Sequence, residues 1–374
     1  MDCTRDADGF VVPSRPASSK SPAQARGMAW SGSYAGSVGP SEVLWGAPNT
    51  GSGRSASKSL VEAYDYRVVN LAFNGIHLRS PCDSLPNDIA ALVNEVRKTC
   101  DPSGPTFEEV KGDKALYALA MVPAAESYVK EHFNNRISAN PGLLSELRRS
   151  DRQPMFKSMV PRAPSTLAKV SPPVPDMLYG YNRDLALQPE QQRQVMSDMV
   201  VNTQNLIYPF FTVEFKGDSP GGAGSLWVAT NQCLGGSATC VSIAERQNSE
   251  LRRSGSENIV PIPTAAFSLA MSGTEARLHV SWRDAGSGNH YMQQIECFVL
   301  QRPEHSIELR NYVLSIINWG IGERLKEIRA SLDMLAEEGR KRAAKIQSWP
   351  ALSEGGDSSV GSVCSGGRKR QRTR

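Results

Sequence analysis

The chain contains no apolar run near the ~20 residues needed to cross a bilayer as a helix. Its most apolar stretch, residues 115–122, is stopped by Pro123. No membrane span is expected. The opening residues Met1 to Asp6 are acidic and lead into no apolar stretch, so no secretory signal is expected either. There is no C-x-x-C pair. The seven cysteines (Cys3, Cys82, Cys100, Cys233, Cys240, Cys297 and Cys364) are dispersed and odd in number. That argues against a disulfide framework or a zinc ribbon and fits a reducing compartment. Histidine is scarce, with His77, His132, His279, His290 and His305 scattered. Neither a histidine metal centre nor a Ser-His-Asp triad has local support. Charge of one sign is also lacking: the net charge is +4, and the end of the chain alone (Arg368, Lys369, Arg370, Arg372, Arg374) carries +5. The remainder is therefore near neutral, and any nucleic-acid binding by the folded part requires a local patch.

What the chain does have is a patterned middle between two biased ends. Residues 1–59 are rich in Ser, Gly, Pro and Ala, and 347–374 turn to Ser, Gly and basic residues. Both are expected to be disordered. A single α/β domain is predicted over 60–346, with a mixed central sheet of four to six strands flanked by helices. Helices are predicted from Asn87, over 106–121, over 124–137, over 188–202 and over 225–252, the last interrupted at Gly235-Gly236. Strands are predicted at 177–181, 208–216, 266–271, 277–282 and 291–300, and a long closing helix at 306–345. Trp227, Trp282 and Trp319 lie in apolar patterns and are expected in the core. The glycine-rich segment 217–224 has no following G-K-[ST] and is no nucleotide P-loop.

The clearest strand, Tyr208-Pro209-Phe210-Phe211-Thr212-Val213-Glu214-Phe215-Lys216, alternates with period two. Phe211, Val213 and Phe215 share one face; Thr212, Glu214 and Lys216 share the other. A carboxylate and an ammonium thus stand side by side at a strand end. One carboxylate is too little for Mg²⁺, which takes one or two together with water and substrate phosphate. Asp176, leading the predicted strand 177–181, supplies a second acid. The bare tripeptide carries little weight: about one E-x-K arises by chance in a chain of this length. A second one, Glu109-Val110-Lys111, lies where no strand pattern exists.

Pro175-Asp176 followed by Glu214-Phe215-Lys216 resembles the PD-(D/E)XK signature of restriction-endonuclease-like phosphodiesterases. Asn182-Arg183-Asp184, the strand 209–216 and Ala229-Thr230-Asn231-Gln232-Cys233 are similar to an uncharacterised fungal protein family with such a predicted nuclease core, over about 64–335. The resemblance implies a restriction-endonuclease-like fold and Mg²⁺-dependent hydrolysis of phosphodiesters in DNA or RNA. It implies that Asp176 and Glu214, with the Phe215 carbonyl, hold the metal, and that Lys216 positions the attacking water. An earlier acid, Glu126, with Glu108 and Glu109 as rivals, and Gln232 are further site-lining candidates. The family tyrosine expected four residues after Gln232 is Gly236 here. A basic patch beside the site is expected from Arg183, Arg246, Arg252 and Arg253.

Two readings stay open. One is an active nuclease-like hydrolase; the other is a catalytically inactive module of the same fold that binds a protein or nucleic-acid partner. The basic cluster Arg368, Lys369, Arg370, Arg372 and Arg374 matches a nuclear-import signal read by the import machinery, which predicts a nuclear location, with the cytoplasm as the alternative.

Overall fold

The computed structural model describes residues 60–98, 104–138, 140–195, 199–217, 225–255 and 261–347. All of them fall within one compact unit, Ala56–Arg374. The Ser/Gly-rich arm 1–59, most of the glycine-rich segment and the basic cluster lie outside the described residues.

A seven-stranded mixed sheet forms the centre: β1 (Ile76–Arg79), β2 (Leu147–Ser150), β3 (Met177–Asn182), β4 (Leu206–Phe215), β5 (Ala266–Met271), β6 (Glu275–Arg283) and β7 (His290–Val299). The spatial order is β1-β7-β6-β5-β4-β3-β2. Pairs β4/β5 and β1/β7 are parallel and the other neighbours antiparallel. Around it lie α1 (Asn87–Lys98), α2 (Phe107–Lys111), α3 (Lys114–Met121), α4 (Glu126–His132), α5 (Arg183–Ala186), α6 (Pro189–Gln194), α7 (Leu226–Ser254), α8 (Pro303–Trp319) and α9 (Leu325–Gln347). The α/β class with a mixed, helix-flanked sheet is as the sequence predicts. Among the described residues no helix is long and apolar enough to cross a membrane.

The alternation in β4 sorts its side chains onto two cores. Phe211, Val213 and Phe215 join the larger cluster, with Val129 and Phe133 of the α4 segment and Leu309, Val313 and Ile316 of α8. On the opposite face Ala229, Cys233, Leu234 and Ala238 of α7 pack with Ala270 and Met292. All ten residues of β4 are buried. The Thr212–Glu214–Lys216 face is therefore covered by α7, not solvated. Strands closed on both faces lose the solvent alternation that a one-sided sheet shows.

Four sequence expectations need correction. The helix α7 runs unbroken through Gly235-Gly236. A Cβ on Gly236 would lie 3.5 Å from Thr212 Cγ2, so the small residues let the helix settle close to β4. The helix predicted over 188–202 ends at Gln194, and Val200 instead bridges Ile207 ahead of β4. The long closing helix is two helices joined by a π-turn at Gly320–Arg324. The predicted four to six strands are seven; β1 and the short strand β2, with Arg148 and Arg149 at its centre, account for the difference. A charged, four-residue edge strand has no apolar periodicity to read. Two of the three tryptophans pack in the core as expected: Trp282 is buried and Trp319 meets Phe210 and Phe267 edge-on, whereas Trp227 is only partly buried, lies outside both core clusters and carries the Arg67 guanidinium over its ring.

Two histidines make the fold acid-sensitive. Burial, above all, depresses His279 on β6 to a pKa of about 4; a hydrogen bond with the Ser268 backbone opposes this, while Arg277 and Arg67 add to it. Burial and Arg283 bring His290 to about 4 as well. Both folded values lie below the unfolded value of 6.5, so the unfolded chain takes up protons first as pH falls. Stability is then lost between pH 6.5 and about 4, by roughly 3 kcal/mol for each histidine. Urea unfolding at successive pH values should show this slope in the wild type, and about half of it in His279→Gln.

Candidate active site

The strand directions bring the predicted acids together. β4 and β5 run parallel, β3 runs against β4, and β2 against β3. The C-terminal ends of β2, β4 and β5 and the N-terminal end of β3 therefore share one end of the sheet. Arg152 follows β2, Asp176 precedes β3, Glu214 and Lys216 close β4, and Glu126 opens α4. All five converge there, drawn from four separate stretches of chain.

Asp176 is held from two sides. Its Oδ2 accepts the Phe215 backbone N–H at 2.9 Å, and its Oδ1 accepts Arg152 Nε at 3.0 Å. The Arg152 guanidinium also pairs with Glu126, bridging the two carboxylates. Lys216 Nζ lies 3.8 Å from Glu126 Oε2. Arg152 sits at φ 52°, a left-handed conformation that non-glycine residues seldom adopt and that clusters at functional sites. Its backbone N–H donates to the Pro175 carbonyl at 2.9 Å, which fixes it beside Asp176.

Glu214 is the unusual member. It is 1 % exposed, and both carboxylate oxygens lack a hydrogen-bond partner among the described residues. Burial raises its pKa well above the usual carboxylate range; Asp176 and Glu126 push the same way, while Lys216 opposes them. Cys233 of α7, fully buried, has its thiol pKa pushed up by the same burial and by the neighbouring Glu214. Thr212 Oγ1, two residues before Glu214 on the same strand face, is likewise buried without a partner.

A close backbone approach positions Glu126. A Cβ on Gly217 would lie 2.5 Å from the Glu126 backbone N and 2.7 Å from the Ala124 carbonyl O. Only a glycine after Lys216 lets the start of α4 reach the end of β4. Gly217→Ala is expected to destabilise the protein by about 1–3 kcal/mol through this overlap. Gly235→Ala, where the nearest outside atom is Pro173 Cγ at 3.9 Å, should be neutral or stabilising by up to about 1 kcal/mol. Thermal unfolding of the two variants checks the contrast.

The structure decides among the other candidates. Glu109 caps α2 with Thr106, and Glu108 is exposed beside Lys111; neither reaches the cluster. Glu109-Val110-Lys111 is helical, so the second E-x-K is a chance match. Gln232 lines a separate cavity of about 140 Å³ with Tyr66, Pro172, Pro173 and Gly235. Its Oε1 is buried without a partner, and no hydrogen bond links it to Asp176, Glu214 or Lys216 among the described residues. The expected basic patch is not at the site. Arg183 follows β3, and Arg246, Arg252 and Arg253 lie in the second half of α7, toward the opposite end of the sheet. Sequence reasoning missed Arg152, which belongs to no motif and is brought in by the β2–β3 pairing.

Residues 121–332, more than half of the chain, match a domain of unknown function, DUF7924. The chain belongs to that family. No curated protein and no solved structure matches it. The DUF7924 segment is narrower than the 64–335 expected for the fungal family. It still holds Glu126, Arg152, Asp176, Glu214, Lys216 and Gln232, and leaves out β1, α1 and α2.

Proposed function

We propose that this DUF7924 protein is a Mg²⁺-dependent phosphodiester hydrolase of the nuclease-like, PD-(D/E)XK type, acting on DNA or RNA. The observation that carries the reading is Glu214: a carboxylate sealed beside Asp176 and Lys216 with neither oxygen hydrogen-bonded. A buried, unsatisfied carboxyl group costs ~1–3 kcal/mol, and a ligand that satisfies it explains its retention. Among the described residues no three His, Cys, Asp or Glu side chains are arranged to hold a metal ion. Two carboxylates with a backbone carbonyl nevertheless suit Mg²⁺, which fills its remaining positions with water and substrate phosphate.

Asp176 and Glu214, with the Phe215 carbonyl, would hold the cation, which supplies Lewis-acid polarisation of the phosphodiester when bound. The protein's own groups do the rest. The Phe215 N–H keeps Asp176 oriented. Lys216, 3.8 Å from Glu126, offers an ammonium to the attacking water and to charge developing on phosphate oxygens. Arg152, with more than half its side chain exposed, is the solvent-facing cation of the set. It neutralises Asp176 and Glu126 and can swing toward solvent.

The test is a titration of the purified protein with Mg²⁺ or Mn²⁺ on labelled single- and double-stranded substrates, alongside Asp176→Asn, Glu214→Gln and Lys216→Ala. Cleavage by the wild type alone supports the reading; equal cleavage by all four proteins refutes it. One observation favours the inactive interaction module instead: Arg152 already satisfies Asp176 and Glu126 as a structural ion-pair bridge. In that case divalent cations leave the Tm unchanged in wild type and Arg152→Ala alike. The basic cluster Arg368–Arg374 supports recognition by the import machinery and a nuclear location.

A further inference from the structure

At the sheet end opposite the carboxylates lies a second site, which we propose binds single-stranded nucleic acid without cleaving it. The start of β1, the end of β6 and the start of β7 meet there, because β6 runs against β7 and β1 runs with it. Between them, the segment 157–163 and the outer half of α7, a cleft of about 940 Å³ opens. This is the upper end of the range for ligand sites, about 300–1,000 Å³.

Its lining is one-sided in charge. Lys157, Arg162, Arg246 and Arg283 face it with His77 and His290, and no Asp or Glu lines it. Lys157 and Arg162 are exposed and have no carboxylate within ion-pair distance among the described residues. Arg246 is fixed by donating to the Ser158 carbonyl and Met159 Sδ. Arg283 donates to the Gly288 carbonyl and lies 3.7 Å from Glu245. Of the nearest acids, Glu245 is shared between Arg252 and the cleft's own Arg283, and Asp284 accepts from the Ser287 N–H and hydroxyl. Both histidines are depressed by burial and stay neutral at physiological pH, so they offer hydrogen bonds, not charge.

The second, independent feature is Phe73 on the same cleft. It is 62 % exposed, although it belongs to a helical turn whose neighbours Leu71 and Asn74 are buried. An aromatic face beside a groove of cations is the combination that single strands use: phosphates meet Lys and Arg, and an unpaired base stacks on the ring. A duplex already stacks its own bases and has nothing to lay on Phe73. A phosphopeptide would use the cations but not the ring. The proposal goes beyond the hydrolase reading and does not need it, since binding here involves neither Asp176 nor Glu214.

The experiment is fluorescence anisotropy of a labelled oligodeoxythymidylate with the full-length chain, in EDTA and over a salt series. The background carries Ser at 368, 369, 370, 372 and 374, so that the basic cluster cannot contribute. Loss of Lys157 and Arg162 (both to Ser) should flatten the slope of log K against log salt by about 0.7 per lost phosphate contact. Phe73→Ala should weaken binding about tenfold and leave that slope unchanged. All three residues are exposed, so loss of folding does not confound the result. Wild-type affinity and slope in every variant would overturn the proposal. So would equal binding of duplex or heparin with no effect of Phe73→Ala, or a clear preference for a phosphorylated peptide. EDTA silences metal-dependent cleavage, so failure here leaves the hydrolase reading standing, and the reverse.

Discussion

Glu214→Gln is expected to abolish metal-dependent cleavage, by at least about 10³-fold in kcat, without lowering the Tm of the metal-free protein. The two halves have one cause. In the folded, metal-free state Glu214 is buried next to Asp176 and Glu126, and its pKa is raised well above 4.5. The folded carboxyl therefore holds its proton to higher pH than the unfolded one. A folded pKa above the unfolded value contributes stability that is complete below about 4.5 and lost as pH rises through the folded pKa. Glutamine copies the neutral carboxyl in shape and cannot titrate. The variant should match the wild type at low pH and exceed it on the alkaline side, while losing the anionic ligand. Calorimetry across pH and single-turnover cleavage read the two effects separately. A variant that loses Tm at every pH would mark Glu214 as a structural residue, and a variant that still cleaves would remove it from the site.

Arg324→Ala is expected to destabilise the protein by about 3–5 kcal/mol, and Arg324→Met by less than about 1.5 kcal/mol. Arg324 is completely buried, and among the described residues no carboxylate lies in ion-pair contact with it. Its Nη1 donates to the Tyr181 hydroxyl at 3.1 Å and the Tyr208 carbonyl at 3.0 Å, and the guanidinium lies over Tyr181, Phe210 and Trp319. Alanine leaves a large void and takes a donor away from the Tyr208 carbonyl and the Tyr181 hydroxyl. Methionine fills the void and removes a desolvated charge, which offsets most of the lost contacts. The site feels this residue at a distance, because Tyr181 belongs to β3 and Tyr208 to β4, the strands that carry Asp176 and Glu214. The adjoining π-turn is built around the same aromatics: a Cβ on Gly320 would fall 2.2 Å from Phe210 Cζ, and the Tyr181 hydroxyl donates to the Gly320 carbonyl at 2.6 Å. Chemical denaturation of the two variants gives the comparison; equal losses would mean that the charge, not the volume, holds the last helix.

The candidate site was partly legible because a strand writes its facing in period two. Glu214 and Lys216 share a face in the sequence as they do in the structure, and Asp176 heads an apolar strand. Glu126 was one of three candidates, since an acid at a helix start carries no mark of the strand end it will meet. Arg152 had no local signal at all; its place comes from the pairing of a charged four-residue strand with β3. The sealing of the polar face of β4 under α7 was not legible, because alternation reports two environments without saying which of them holds water.

The amino-acid order alone determined most element types, the two biased ends, the α/β class and the pairing of a carboxylate with a lysine at a strand end. These are local properties of periodicity and composition, and each is decided within a dozen or so residues. Only the tertiary structure decided that α7 seals Glu214 away from water, that Gly217 admits α4, that Arg152 bridges two acids, and that the cations gather at the other end of the sheet. Burial and charge contact join residues far apart in the chain, and no local pattern encodes the distance between them.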